Sequence, residues 1–302
     1  MPASALAFLQ QLFRPFYRPL WQAVDHWIEA GGMRMSAAMS FYGILSLAPL
    51  LVLLVAVLGW WLDRRYIEVS LVDQIRSVIG AQGAQVVQQA LSSAQAPSEG
   101  ITASLFAFAL LLSGATGVFA ELQDAFERLW RQGSGEAPQQ RWWHGASLRL
   151  RGVAYILAFG FLLLVSLAIS TFLSLLSGWA GGYLPVEKIA WILNEVISFG
   201  FCVALFVSLM KMSVGPKPGM RYLVWGSAVG AVLFAVGKHL MAFYLSTAAV
   251  VSAYGAAGSL VVILMWIYFS SAVLLLSASM ARAWADDAAQ QASISSTRPA
   301  AF

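Results

Sequence analysis

Charge is what this sequence has least of. Only 11% of its 302 residues are Asp, Glu, Lys or Arg, whereas 60% are hydrophobic. A soluble domain needs about a quarter of its residues charged, so a soluble globular protein is excluded. Cysteine is nearly absent. Cys202 stands alone in an apolar run, which excludes an intrachain disulfide and a cysteine metal cluster and leaves a small buried residue as its plain reading. Histidine is scarce as well: His26, His144 and His239 fall in an N-terminal helix, a loop and an apolar run. No HxH, HExxH or carboxylate cluster gives metal-ligand spacing, so a ribonuclease or metalloenzyme has nothing to build on. A nucleotide-binding motif is missing too, which argues against ATP coupling within this chain. No catalytic residue, metal or cofactor is expected. Residues 1–35 hold Pro15, Pro19 and several charges but no apolar core, so they do not read as a cleavable signal.

What is present is a series of apolar runs, each near the ~20 residues that cross a bilayer as a helix. Six are predicted, at about 36–62, 101–120, 150–178, 189–212, 222–245 and 256–280. The fold class is therefore all-α, a polytopic membrane protein with one transmembrane domain over 36–284. It is preceded by a cytoplasmic segment, 1–35, carrying an amphipathic helix, and followed by a tail, 285–302, whose Ala, Ser and Gln content reads as disorder. In the first segment Leu20, Trp21, Val24, Trp27 and Ile28 share one face suited to a membrane surface, and Gly31-Gly32 ends the helix. Between spans 1 and 2, Leu71, Val72, Ile75, Val78 and Ile79 follow the pattern of a short amphipathic helix, and Val86 to Leu91 repeat it. These lie at the outer surface, as a cap over the bundle or as a surface hairpin.

Basic residues fix the orientation. Thirteen Lys and Arg fall on the side holding both termini and four on the other. The positive-inside rule then places both termini in the cytoplasm. The same asymmetry accounts for the net positive charge without invoking nucleic acid. Membrane lipids are the expected partners.

Several positions inside the spans stand out. Pro49 lies within span 1 and frees a backbone carbonyl one turn earlier. Ser36, Ser40 and Gly43 share a face there, and Gly114 and Gly117 in span 2 permit close backbone approach. Gly226 and Gly230 form a GxxxG on span 5, which serves either internal packing or a homo-oligomer contact. Ionisable groups are costly in a span. Glu195 and Lys238 each lie about six residues from the outer end of spans 4 and 5, roughly 9 Å deep. Two readings of Lys238 stay open: it snorkels to the headgroups, or it faces a polar cavity. With Asn194 beside Glu195, and Ser174 and Ser177 ending a serine stripe on span 3, these residues form a candidate polar cluster for binding a substrate.

Ser36-Ala37-Ala38-Met39-Ser40-Phe41-Tyr42 running through Ser46-Leu47-Ala48-Pro49 to Gly59 resembles the YihY/virulence factor BrkB family of bacterial inner-membrane proteins. So do Leu122 to Trp130, and Tyr244 followed by Tyr254-Gly255 and the run Val261 to Tyr268 with Trp266. The resemblance covers roughly residues 20–284. The chain departs from it at Asp124 and Glu127, which make that segment more acidic. It departs again at Ser277-Ala278-Ser279, where family members often carry glycine, alanine and glutamate. The resemblance implies six transmembrane helices and a place in the cell envelope, and none of its motifs is catalytic. Members were once labelled a ribonuclease, and movement of envelope lipids has been suggested for relatives. A transporter or translocase of a lipid or other amphiphile is the leading expectation. A non-transporting structural or regulatory membrane protein is the alternative.

Overall fold

The computed structural model describes residues 19–58, ten positions between 68 and 92, and 101–131, 186–213, 217–247 and 258–297. Every regular element among them is helical. Helix α1 covers 19–29 of the described residues. It stops at Gly31, where φ is +77°, a conformation that side chains with a Cβ resist. Helix α2, Gly32–Leu58, starts at the next residue. It is followed by α3, Ile101–Arg131, α4, Val186–Lys211, α5, Met220–Thr247, and α6, Gly258–Thr297. Five of the six expected segments fall largely in these helices, and 150–178 lies outside the described residues. The described positions between 68 and 92 are helical, with Asp73 and Arg76 3.4 Å apart. Leu71, Ile75, Val78 and Ile79 lie outside the described residues.

Among the described residues two stretches are long and apolar enough to cross a membrane: Met220–Met241 in α5 and Leu260–Ser293 in α6, with mean hydropathies of 1.5 and 2.4. Only 33% and 39% of their most apolar windows are buried inside the protein, less than the core helix of a soluble protein buries.

The turn between α4 and α5 is closed by local hydrogen bonds. The Gly219 carbonyl accepts from the amides of Tyr222 and Leu223 at 2.9 and 3.2 Å, and the Lys217 ammonium donates to the Lys211 carbonyl at 2.9 Å. This supplies a partner to one of the carbonyls that a helix end leaves open. α4 packs along α5, α5 along α6, and α6 also packs against α2 and α3. Helices α2 and α3 meet through small residues. A Cβ placed on Gly114 would lie 2.8 Å from the Ser46 backbone nitrogen, and Gly117 sits under the Tyr42 ring. Ser36, Ser40 and Ser46 donate to carbonyls of their own helix, so they are packed without orphaned hydroxyls.

The core lies toward the end of the bundle where α3 stops. It holds Met35 and Met39 of α2, Phe126 and Trp130 of α3, Met210 of α4, Leu223 of α5 and Leu275 of α6. The Phe126 and Trp130 rings stack at 5.1 Å, one helical turn apart.

Two regions differ from the sequence reading. α1 does not present its whole apolar face to a membrane. Ala23 is buried against Met280 and Ala283 of α6 while Trp27 packs on the main core, which leaves Trp21 and Ile28 exposed. In addition, α6 continues to Thr297 through the stretch that composition reads as a disordered tail. Arg282–Asp286 and Gln291–Asp287 bonds at 2.6 and 2.7 Å bridge successive turns there, and Ala283 anchors the extension on α1.

Candidate functional site

Glu195 is nine residues into α4 and Lys238 is nine residues from the end of α5. Consecutive helices joined by a short turn run antiparallel, so the two residues meet at the same height. Lys238 Nζ lies 3.5 Å from Glu195 Oε1, with the side chains 29% and 44% exposed. The structure thus pairs the two ionisable residues that the sequence places at one depth. Asn194 belongs to the same turn of α4, while Ser174 and Ser177 lie outside the described residues.

The interior next to the pair is filled. One turn before Lys238, Phe234 stacks on Phe269 at 6.0 Å and meets Phe206 and Trp266 edge-on at 6.4 and 6.1 Å. Gly237 lets Phe269 come directly against the α5 backbone. With aromatic rings on the inner side, the charges sit on the flank of the α4–α5 ridge. Beside Glu195 on α4, Val196 and Phe199 are exposed, whereas the exposed Val236 and Leu240, two residues either side of Lys238, belong to the opposite face of α5. Cys202, two turns beyond Glu195, packs against the core as a small partly buried residue.

Gly226 and Gly230 take part in internal packing. A Cβ on Gly226 would lie 2.7 Å from the Ser277 carbonyl oxygen and 2.8 Å from Ala281 Cβ. On Gly230 it would lie 2.5 Å from Ser277 Oγ. Both glycines therefore let α6 approach α5 within one chain. Pro49 lies inside the continuous helix α2.

Sequence reasoning missed a junction at 277–282 of α6. Ser277 donates to the Gly226 carbonyl at 2.8 Å, and Ser279 donates to the Ala23 carbonyl at 2.7 Å. Trp130 Nε1 reaches the Ala278 carbonyl at 3.5 Å, and Arg282 Nη1 donates to the Trp130 carbonyl. One and a half turns of α6 thus join α5, α1 and α3. The only signal was the serine-alanine-serine departure from the family pattern.

Beside the junction, α1 and the α6 extension enclose a cleft of about 410 Å³ lined by Gln22, His26, Asp286, Asp287, Ala289 and Gln290. Its carboxylates are already engaged, Asp286 by Arg282 and Asp287 by Gln291. Among the described residues no group of three or more His, Cys, Asp or Glu is placed to hold a metal ion.

Near this end of the bundle the Glu121 carboxyl is held above the ordinary range. Partial burial is the main cause and the Asp124 charge the second, opposed by Arg128 and Arg34.

Curated relatives share this membrane character. A UPF0761 membrane protein of Psychrobacter sp. (strain PRwf-1) is 24% identical over 271 residues, covering 87% of this chain and 48% of the relative. Another, of Legionella pneumophila subsp. pneumophila (strain Philadelphia 1), is 25% identical over 267 residues, covering 86% of this chain and 60% of its own length. The chain spans about half the length of these relatives. No solved structure matches it. The family model for Virulence factor BrkB matches residues 23–300, from the buried face of α1 past the end of α6. That span takes in the α4–α5 charge pair and the 277–282 junction alike, and the chain belongs to the Virulence factor BrkB family.

Proposed function

We propose that this is a bacterial inner-membrane protein of six spans with both termini cytoplasmic, and that it moves a lipid or other amphiphile across or along the bilayer. The observation carrying this reading is the Glu195–Lys238 pair. Two opposite charges sit within the expected spans on an outward-facing flank, beside the exposed Val196 and Phe199 of α4. Ionisable groups inside membrane segments are expensive, and they recur where polar cargo passes. A headgroup held at the pair leaves its chains against Val196 and Phe199. The proposal includes no enzymatic step: His26 and His239 stand on different helices, α1 and α5.

The test is reconstitution of the purified protein into vesicles carrying a fluorescent phospholipid, with a membrane-impermeant quencher added outside. Transport predicts that the quenched fraction rises beyond the outer-leaflet share, and that Glu195→Gln with Lys238→Met abolishes the rise. Vesicles that behave like protein-free ones would reject it.

A second reading, a non-transporting structural or regulatory membrane protein, draws on the α6 extension. That helix carries a polar cleft against α1 suited to a partner outside the membrane.

A further inference from the structure

The site proposed above has a charge pattern that selects among amphiphiles. Lys238 and Glu195 are 3.5 Å apart, longer than the roughly 2.7–2.9 Å of a close charge-assisted hydrogen bond. Among the described residues neither has a further ion-pair partner. Each side chain therefore retains hydrogen-bonding capacity, and each is partly exposed on a flank where Val196 and Phe199 of α4 are exposed as well. Val196 is 61% exposed, so the α4 side of the pair offers hydrocarbon contact rather than polar protein.

Exposed charges in such surroundings are stabilised by a ligand that brings a polar group to both of them. A purely anionic headgroup satisfies Lys238 but sets its charge against Glu195, and a cationic one does the opposite. A headgroup with a phosphate and a primary ammonium a few bonds apart meets both. The phosphate accepts from the Lys238 ammonium, the headgroup ammonium donates to the Glu195 carboxylate, and no net charge is added. We propose that the Glu195–Lys238 pair is a binding site for a zwitterionic phosphate-and-ammonium headgroup, its acyl chains lying on the Val196–Phe199 flank of α4. This rests on the lipid-transport reading and gives its site a substrate class.

The full-length protein is extracted from vesicles holding equal amounts of dioleoylphosphatidylethanolamine, dioleoylphosphatidylglycerol and dioleoylglycerol, and retained lipids are counted by native mass spectrometry. The wild type is expected to retain phosphatidylethanolamine over phosphatidylglycerol by about threefold, the value of a typical hydrogen bond between membrane-embedded groups. Glu195→Gln is expected to bring the two to parity, and Lys238→Met to reduce phosphatidylglycerol to the level of dioleoylglycerol while phosphatidylethanolamine keeps only its contact with Glu195. Glu195→Asp and Lys238→Arg keep the charges and should keep the preference, which separates a lost site from a misfolded protein. Equal retention of all three lipids by the wild type would overturn the site, as would a preference that survives the double substitution. Excess glycerophosphoethanolamine lacks the chains and should leave bound lipid in place. Displacement by it would overturn the assignment to a membrane lipid. Headgroup preference without translocation in the vesicle assay removes the transport reading and leaves this site standing. Translocation indifferent to headgroup does the reverse.

Discussion

Ser277 of α6 gives its hydroxyl proton to the carbonyl oxygen of Gly226 on α5 across 2.8 Å, in a contact where both residues are buried. The bond forms only because residue 226 lacks a Cβ, since that atom would stand 2.7 Å from the Ser277 carbonyl oxygen.

Gly226→Ala is therefore expected to destabilise the protein by about 1–3 kcal/mol, because backbone rather than a mobile side chain must give way. Ser277→Ala should cost less, about 0.5–1.5 kcal/mol. Thermal melts in detergent at several protein concentrations check both the size and the source. A deficit present at every dilution belongs to contact within one chain. One that disappears on dilution would place the glycines between chains.

For Glu195 and Lys238 the expected outcome is non-additivity. Removing one partner leaves the other charge uncompensated, so Glu195→Gln and Lys238→Met together should cost less than the sum of the two singles. The coupling should be about 0.5–1.5 kcal/mol, the range for polar contacts in membrane bundles. A double-mutant cycle on unfolding midpoints measures it, and strictly additive effects would show that the two side chains act independently.

Glu121 carries a pH dependence of unusual sign. Its folded-state pKa is raised above 4.5, mainly by burial. The folded state thus holds the proton more tightly than the unfolded chain. Folding costs nothing from this group below the unfolded value, and stability falls as pH rises through the unfolded and then the folded value. Glu121→Gln is expected to raise the melting temperature at pH 7 by roughly one degree, with the gain vanishing at pH 4. A gain that is the same at both pH values would assign it to something other than this ionisation.

Orientation can be read with single cysteines in a Cys202→Ala background. An impermeant maleimide added to intact cells should label Ser92→Cys and Thr247→Cys, and should reach Lys217→Cys and Ser293→Cys only after permeabilisation. Labelling of residue 217 from outside would reverse the proposed topology.

How legible these arrangements were depended on how local their causes are. The meeting of Glu195 and Lys238 could be anticipated because consecutive antiparallel helices match heights, and height is counted in residues. The glycines of α5 announced a close approach but not its partner, since a small face fits any helix that also has one. The junction at 277–282 was hidden. Its serines sit in an apolar run with no periodicity of their own, and Arg282 looks like any basic residue at a cytoplasmic margin. The course of α6 beyond 285 was misread because Ala, Ser and Gln suit both a solvated coil and a helix. Contact with α1 and the bonds from Arg282 and Gln291 decide it. For the same reason the apolar face of α1 could not be divided between membrane and protein: its partner lies 256 residues away.

That separation has a consequence for biogenesis. The carbonyls of Ala23, Trp130 and Gly226 all find their partners on the stretch 277–282 of α6. A ribosome delivers that stretch only after α1 to α5 have been synthesised. The nascent protein must therefore wait with α1, α3 and α5 incompletely joined, and assembly closes from the C-terminal helix backward. A stop codon shortly before residue 277 removes that stretch and leaves three helices without their common seam. Such a product is a ready target for membrane proteases, although all of its earlier spans are intact.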